Sequence, residues 1–369
     1  MPPPVPAPFP IDREAGIAAY KALLSPEEHR RRVAAGDTTD LVPGIKPLEG
    51  PPPVIVAKIS KRWQSSADSK IDLFEIVPRD GAPLPSFEAG AHIDIMVTPQ
   101  FIRQFSLASD PSDHSKYLVG VLREDQGRGG SIKIHQMLKP GVPVVVSQPR
   151  NHFPVVKDGL RHILMAGGIG VTPLIAMGHE LSRAGADFTL YYKARTRAQA
   201  AFIPELQAMP WADRVRFHFS DENRLHVADV LGDYEPGDHL YTCGPAEFMD
   251  AVYAAALARG WQEDALHREY FSVPETAQFV NHAFTLELMR SGLKVLVPAD
   301  KSATTALKEA GVNIDVKCSD GLCGVCKTPY LGGEIEHRDY VLNKTQRSSH
   351  VILCCSRAKE PDGTIVLDR

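Results

Sequence analysis

The sequence lacks the features of several protein classes. No apolar run approaches the roughly 20 residues that a membrane-spanning helix needs. The N-terminus, MPPPVPAPFPIDREAG, has neither the basic segment nor the apolar segment of a secretory signal. The formal net charge is only −4, so the composition does not indicate a basic surface for nucleic acid. We therefore expect a cytoplasmic protein that binds neither nucleic acid nor a membrane.

Cysteine is scarce and unevenly placed. Of six cysteines, Cys243 stands alone and the other five fall within one stretch that begins at Cys318. A disulfide framework is unusual in a large cytosolic protein, and clustered cysteines instead indicate a metal or cluster site. The pattern C-x4-C-x2-C followed by a distant cysteine is the plant-type [2Fe–2S] signature. Zinc is the alternative, but it normally requires matched short-spaced pairs, and here the other pair is the adjacent Cys354–Cys355.

Three patterns of secondary structure follow one another along the chain. Short alternating strands with turn residues predict a small antiparallel barrel or sandwich that ends near Pro154. From about Arg161, strands alternate with helices, which predicts a parallel α/β sheet. The remainder returns to short strands around the cysteines. The 369 residues thus predict a multidomain β and α/β protein, divided into 1–52, 53–155, 156–275 and 276–369.

The first of these segments, residues 1–52, is an N-terminal extension. It combines proline-rich stretches with one helical pattern that ends in the charged run EEHRRR. Two interpretations stay open: a docking arm or strap over another domain, and a weakly ordered tail with a solvated helix.

Two glycine-rich turns are predicted at the carboxyl ends of strands in the α/β region. The first, AGGIGVTP, follows a strand and opens a helix, where backbone N–H groups and the helix terminus favour a pyrophosphate. We expect Thr172 to cap this helix, with Pro173 in its first turn. The second turn is YTCGP, which starts at Tyr241. Two such turns at one edge of a parallel sheet form a ligand crevice, although the first could also be a purely structural turn.

The barrel region carries two motifs suited to a phosphorylated aromatic cofactor. In RQFS, Arg103 offers a charge-assisted fork to phosphate or carbonyl oxygens, and Phe105 offers an aromatic face. In GRGGS, Gly129, Gly130 and Ser131 present backbone N–H groups and a hydroxyl to a phosphate. If the crevice holds a nicotinamide dinucleotide, a [2Fe–2S] cluster beside it also needs a converter between two-electron and one-electron transfer. Flavin is the usual converter, so we predict a flavin in the barrel.

These motif sets resemble the phthalate dioxygenase reductase family, within the ferredoxin–NADP reductase superfamily, over roughly residues 53–369. The resemblance rests on RQFS, GRGGS, GGIGVTP, CGP and the cysteine pattern, which occur in the family's order. It implies an FMN-binding β-barrel, a Rossmann-like NAD-binding domain and a C-terminal β-grasp ferredoxin domain. It also implies FMN rather than FAD and NADH rather than NADPH, although Arg195 and Arg197 could accept a 2′-phosphate.

The resemblance extends to individual residues. Cys354, rather than Cys355, becomes the fourth cluster ligand because it begins a C-x-S-R-A run, and Phe271 covers the flavin. Ordinary interdomain packing is the alternative for Phe271, and a core position is the alternative for Cys243. The implied positions are, for the flavin, Arg103, Phe105, Ser106, Gly129, Gly130 and Ser131; for the nucleotide, Gly168, Gly170, Thr172, Pro173, Cys243 and Gly244; and for the cluster, Cys318, Cys323, Cys326 and Cys354.

By the same resemblance, the protein is an NAD(P)H-dependent flavin iron–sulfur oxidoreductase that serves a Rieske-type oxygenase, such as an aromatic dioxygenase or a demethylase. Electrons would move from NADH to FMN, then to the cluster, then to a separate oxygenase protein. No side chain is needed as an acid, base or nucleophile, because the chemistry belongs to the cofactors. Two alternatives are a reductase for a non-Rieske monooxygenase and a redox-sensing or electron-carrier flavoprotein.

Overall fold

The computed structural model divides the chain into two compact units, Met1–Arg268 and Glu269–Arg369. The predicted N-terminal extension lies outside the described residues. Within the part of the chain that the structure describes, no helix has the length and apolarity to cross a membrane. The described residues are 54–66, 68–98, 101–127, 129–274 and 279–369.

The first sheet is antiparallel and forms a nearly closed barrel. Its strand order is β4-β3-β6-β1-β2-β5, with β7 paired to β3, and helix α1 (Gly130–Met137) connects β5 to β6. Strand β3 is buried on both faces, because Ile93 and Ile95 pack in the barrel core while Met96 packs against Val145. The strands are β1 (Val54–Gln64), β2 (Ile71–Pro78), β3 (Ala91–Thr98), β4 (Phe101–Ser106), β5 (Tyr117–Leu122), β6 (Pro143–Ser147) and β7 (Arg150–Asn151).

The second sheet has the order β10-β9-β8-β11-β12, and its central pairs are parallel. Strand β8 (RHILMAG) is buried at every position after its first residue, as a parallel strand covered on both faces should be. The elements are β8 (Arg161–Gly167), α2 (Val171–Arg183), β9 (Asp187–Ala194), α3 (Ile203–Gln207), β10 (Val215–Phe219), α4 (Val227–Leu231), β11 (Asp238–Cys243), α5 (Ala246–Ala258) and β12 (Leu266–Glu269).

The barrel and the parallel sheet share one hydrophobic core within the first unit. Leu73 of the barrel belongs to the same buried cluster as Leu164 of β8. The indole Nε1 of Trp63 donates to Glu205 Oε1 at 2.8 Å, which ties β1 to α3. The predicted boundary between residues 155 and 156 therefore separates two sheets that pack as a single unit, and the predicted domain limits stay predictions.

The second unit is a small mixed sheet covered by one helix. The sheet order is β14-β13-β19-β15-β17, in which β13 and β19 are parallel, and β16 pairs separately with β18. Ala303 and Leu307 of α6 pack in the core of this sheet, which agrees with the predicted β-grasp arrangement. The elements are β13 (Phe284–Leu288), β14 (Leu293–Val297), α6 (Ala303–Glu309), β15 (Lys327–Gly332), β16 (Ile335–Glu336), α7 (Lys344–Arg347), β17 (His350–Ile352), β18 (Arg357–Ala358) and β19 (Thr364–Leu367).

Candidate functional site

The two predicted flavin motifs lie against each other. A Cβ placed on Gly130 would lie 2.3 Å from Nε of Arg103, so a glycine is needed for the arginine to cross the start of α1. Gly129 precedes this helix with a φ of 79°, and among the described residues no side chain caps the helix. The N–H group of Glu124 donates to Ser131 Oγ at 3.0 Å, so the Ser131 hydroxyl proton can still point to a ligand. A guanidinium and uncapped helix N–H groups together suit a phosphate.

Strand register places the members of the RQFS motif on two faces. Arg103 is opposite Ile95 and Phe105 is opposite Ile93, while Ser106 is opposite His92. Directly paired residues of an antiparallel ladder share a face, so Arg103 and Phe105 lie on the side of the barrel core. Phe105 packs partly buried against that core. The structure brings Arg103 and Phe105 together and turns Ser106, which is buried, to the other face of the strand.

The two predicted nucleotide turns meet at the carboxyl ends of β8 and β11. Cys243 ends β11 and pairs in parallel register with Ala166 of β8. A Cβ placed on Gly170 would lie 2.2 Å from the backbone oxygen of Cys243 and 2.6 Å from the nitrogen of Gly244. The glycine therefore permits direct contact between the turns, and Gly168 precedes it with a φ of 55°. Cys243 itself is only 1% exposed and belongs to the hydrophobic core.

The predicted helix cap at Thr172 is wrong. A 3-10 turn over Gly168–Gly170 leads into α2, and Gly170 occupies the cap position. Thr172 already lies inside the helix, where its Oγ1 donates to the Ile169 carbonyl at 3.0 Å instead of accepting from an N–H group. Pro173 does lie in the first turn, so that part of the prediction is confirmed.

The two arginines predicted near the adenosine ribose follow β9. Both Arg195 and Arg197 are exposed. The guanidinium of Arg197 donates to the Glu222 carboxylate at 3.0 and 3.3 Å and lies 4.4 Å from the ring centroid of Phe219. A carboxylate thus partly neutralises one of the two cations at this sheet edge.

The structure brings the four predicted cluster ligands together. Hydrogen bonds between sulfurs link Cys318 to Cys323 and to Cys354, and they link Cys354 to Cys326. The first two of these bonds lower the pKa of the Cys318 thiol, first through Cys323 and then through Cys354. Within the described ranges, no three His, Cys, Asp or Glu side chains are grouped as a single metal ion requires. The sulfurs instead form a row, and a two-iron cluster held by four thiolates fits that donor set.

Backbone amides also point at these sulfurs. The N–H group of Asp320 donates to Cys318 Sγ at 3.4 Å, and that of Cys354 donates to Cys326 Sγ at 3.4 Å. Such bonds stabilise thiolates and tune a cluster. Gly321, with a φ of 75°, lets the loop fold back between its cysteines.

Cys354 and Cys355 have different surroundings. Cys354 is buried and reaches the sulfurs of Cys318 and Cys326, whereas Cys355 reaches that of Cys354. The sulfur of Cys355 also lies 3.7 Å from the Ile352 carbonyl oxygen and 3.9 Å from Ser356 Oγ. A Cβ placed on Gly321 would lie 2.6 Å from that sulfur. Cys355 therefore packs behind the ligand loop, while Cys354 reaches the row of sulfurs.

Sequence analysis assigned no specific role to the residues that support the ligand loop. The N–H group of Tyr340 donates to the Gly321 carbonyl at 3.1 Å, and the Cα of Asp339 lies 3.1 Å from a Cβ placed on Gly321. The available signal was the run EHRDY, which lies between the third and fourth cysteines of the pattern. Phe271, the predicted flavin cover, lies in the second unit and is 45% exposed.

Comparisons with known proteins agree with this geometry. The sequence model described as "2Fe-2S iron-sulfur cluster binding domain" matches residues 286–359, and "Dimethylamine monooxygenase subunit DmmA-like, N-terminal domain" matches 144–266. The solved structure of phthalate dioxygenase reductase, described as modular for electron transfer from pyridine nucleotides to [2Fe–2S], is 36% identical with a TM-score of 0.62. The alignment covers 86% of this chain and 98% of that one.

The chain belongs to the phthalate dioxygenase reductase-like family. Members are flavin and [2Fe–2S] NAD(P)H oxidoreductases, and phthalate dioxygenase reductase is an FMN, NADH and [2Fe–2S] protein. The predicted family, fold, enzyme class and cofactor set are therefore confirmed. The relatives of this reductase-like chain are oxidoreductase subunits of oxygenase systems. The predicted function as the reductase component of an oxygenase system is therefore also confirmed.

Three curated relatives illustrate the range of systems in this family. The reductase subunit of a tert-butanol monooxygenase / tert-amyl alcohol desaturase of Aquincola tertiaricarbonis is 42% identical, over 81% of this chain and 91% of the relative. A vanillate O-demethylase oxidoreductase of Pseudomonas sp. (strain HR199 / DSM 7063) is 40% identical, over 80% and 94%. The beta subunit of a heme-dependent oxidative N-demethylase of Ectopseudomonas mendocina (strain ymp) is 39% identical, over 74% and 87%.

A larger protein contains a similar reductase. The structure of an intact type IV self-sufficient cytochrome P450 monooxygenase is 34% identical with a TM-score of 0.78. The alignment covers 93% of this phthalate dioxygenase reductase-like chain but only 45% of the P450 chain. The reductase-like architecture thus also occurs as part of a longer polypeptide.

Proposed function

We propose that this chain takes hydride from NADH and delivers single electrons to a separate Rieske-type oxygenase. One observation carries the proposal: the first unit contains both the Arg103–Gly130 contact and the Gly170–Cys243 contact. A phosphate site and a nucleotide crevice in one folded unit allow a flavin and a nicotinamide to be held by one rigid frame. The row of sulfurs in the second unit then supplies the exit for electrons.

The predicted site residues bind the cofactors in this proposal. When bound, FMN and the cluster together convert a two-electron hydride into one-electron transfer. The side chains bind and orient these groups, and none has to move a proton. Arg103 and the start of α1 hold the FMN phosphate, and the turns at Gly170 and Cys243 hold NADH. Cys318, Cys323, Cys326 and Cys354 hold the cluster, and Phe271 covers the flavin.

The ion pair of Arg197 with Glu222 supports NADH over NADPH. The 2′-phosphate of NADPH would bring a second anion beside the Glu222 carboxylate, whereas the ribose hydroxyls of NADH could donate hydrogen bonds to it. Arg195, which is also exposed at this edge, is the remaining cation for a 2′-phosphate. We propose NADH because one of the two arginines already has an anionic partner.

The acceptor distinguishes two candidate functions. The resemblance to phthalate dioxygenase reductases favours a Rieske-type oxygenase. A haem oxygenase is the second candidate, because one relative is named as a subunit of a heme-dependent demethylase and a P450 chain carries a similar reductase. A cytoplasmic location, as expected from the sequence, is part of the same proposal.

Reconstitution tests the choice of acceptor. The purified protein, NADH and a panel of purified Rieske-type and haem oxygenases should give NADH-dependent product with a Rieske-type enzyme and background turnover with haem enzymes. Reduction of cytochrome c by NADH in the absence of an oxygenase is the control for an active reductase. Product with haem enzymes alone would select the second candidate, and a failed control reaction would argue for a carrier or sensor.

A further inference from the structure

Arg338 is a buried arginine that holds the residues just before β13. Its guanidinium donates to Asn281 Oδ1 at 2.7 Å and to the Val280 carbonyl at 2.8 Å. The same group lies 4.8 Å from the ring centroid of Phe279. The Glu336 carboxylate balances its charge, because Arg338 Nε donates to Glu336 Oε2 at 2.8 Å. A buried cation requires such a full set of partners. Arg338 therefore holds residues 279–281 against the run Glu336–Tyr340 within the second unit.

Tyr340 holds the other described end of the same stretch of chain. Its ring centroid lies 4.8 Å from that of Tyr270, with an interplanar angle of 59°. Tyr270 directly precedes Phe271, the residue that we propose as the flavin cover. The N–H group of Tyr340 donates to the Gly321 carbonyl in the ligand loop. One residue thus links the start of the second unit to the loop that carries three of the cysteines.

Asp339 keeps the backbone between these two contacts in place. Its buried Oδ1 accepts from the N–H groups of Val341 and Leu342 at 3.1 and 2.7 Å. Arg347 donates to the Asp339 carbonyl at 2.7 Å. The Cα of Asp339 also packs against Gly321. The short run that contains Arg338, Asp339 and Tyr340 is therefore a rigid support against the ligand loop.

We propose that Glu336–Tyr340 is a clamp that fixes the two ends of the entry segment, residues 270–274 and 279–281, to the cluster-ligand loop. The inference rests on the proposed function, because its consequence is for electron transfer from the flavin to the cluster. Arg338 and Tyr340 are positioning residues: they hold the chain that enters the unit in a fixed relation to the cysteines. Loss of this fixed relation would move the cysteines relative to the segment that carries Phe271, so we expect the clamp to affect the electron-transfer step.

Anaerobic stopped-flow mixing with NADH tests the clamp, because loss of flavin absorbance (the flavin phase) and loss of cluster absorbance (the cluster phase) can be followed separately. Arg338→Met and Tyr340→Leu should slow the cluster phase severalfold and leave the flavin phase unchanged. Tyr340→Phe keeps the ring contact with Tyr270 and should retain more of the cluster-phase rate than Tyr340→Leu. Arg290→Met, at an exposed ion pair of the same unit, is the matched control for loss of an arginine.

Additional measurements separate a positioning role from loss of the cluster. Iron content and the EPR spectrum of the dithionite-reduced cluster should be unchanged in the variants. If Tyr340→Leu loses the cluster, Tyr270→Leu decides, because it removes the ring contact with Tyr340 and leaves Tyr340 itself in place. Unchanged cluster phases in Arg338→Met and Tyr270→Leu would overturn the clamp. Absence of the flavin phase in the unchanged protein would instead contradict the proposed function.

Discussion

Cys354→Ala is expected to remove the visible absorption of the cluster, whereas Cys355→Ala is expected to leave it. Cys354 interacts with the sulfurs of Cys318 and Cys326, while Cys355 contacts Cys354 and packs against the Ile352 carbonyl behind the loop. Loss of one of four thiolates leaves an iron without its fourth ligand, so iron per chain should fall at least about tenfold in Cys354→Ala. Iron analysis and the absorption spectrum measure the result.

The adjacent cysteines serve as matched controls for each other. They lie in the same turn and lose the same side chain, so a difference between the two variants reports ligation and not general destabilisation. Bound flavin should be retained in both variants, because the flavin motifs belong to the first unit and the cysteines to the second. The opposite pattern, with loss of the cluster only in Cys355→Ala, would reverse our assignment of the fourth ligand.

Arg103→Met is expected to weaken FMN binding by roughly 100-fold. Hydrogen bonds to charged groups contribute about 1.5–3 kcal/mol each, so loss of a guanidinium at the phosphate removes at least one such contribution. Methionine keeps much of the side-chain stem that packs across Gly130. Flavin fluorescence during titration of the flavin-free protein with FMN gives the dissociation constant.

Arg123→Met is the control for this prediction, because Arg123 is an exposed arginine of the barrel that pairs with Asp125. Its FMN affinity should remain within about twofold of the unchanged protein. Arg103→Met should also keep the full cluster, since its cysteines lie in the other unit. Equal FMN affinity in Arg103→Met and Arg123→Met would contradict a phosphate role for Arg103.

Local spacing predicted which turns and which cysteines lie together, because glycine and cysteine patterns reflect what the backbone requires. The contact between Gly170 and the Cys243–Gly244 turn is an example: a glycine in each turn is what close approach at the sheet edge demands. The cap at Thr172 failed for a local reason as well. A 3-10 turn precedes α2, so the cap is Gly170, two residues earlier than predicted. A sequence pattern fixes helix ends only to within a few residues.

The features that could not be predicted depend on partners distant in sequence. The Trp63–Glu205 bond and the shared core of the barrel and the parallel sheet join residues that carry no common pattern. Arg338 is a similar case, because its acceptor at Val280 lies 58 positions earlier. The sequence shows a charged run between cysteines, and only the fold shows which backbone groups that run holds.

Low-temperature EPR of the purified protein after anaerobic mixing with excess NADH tests the central claim most directly. If the chain carries electrons from NADH through flavin to the cluster, flavin absorbance is lost and a reduced [2Fe–2S] signal develops. The Cys354→Ala variant should then lose flavin absorbance without developing the cluster signal. Loss of flavin absorbance in the unchanged protein without a cluster signal, or a signal that dithionite produces and NADH does not, would contradict the account.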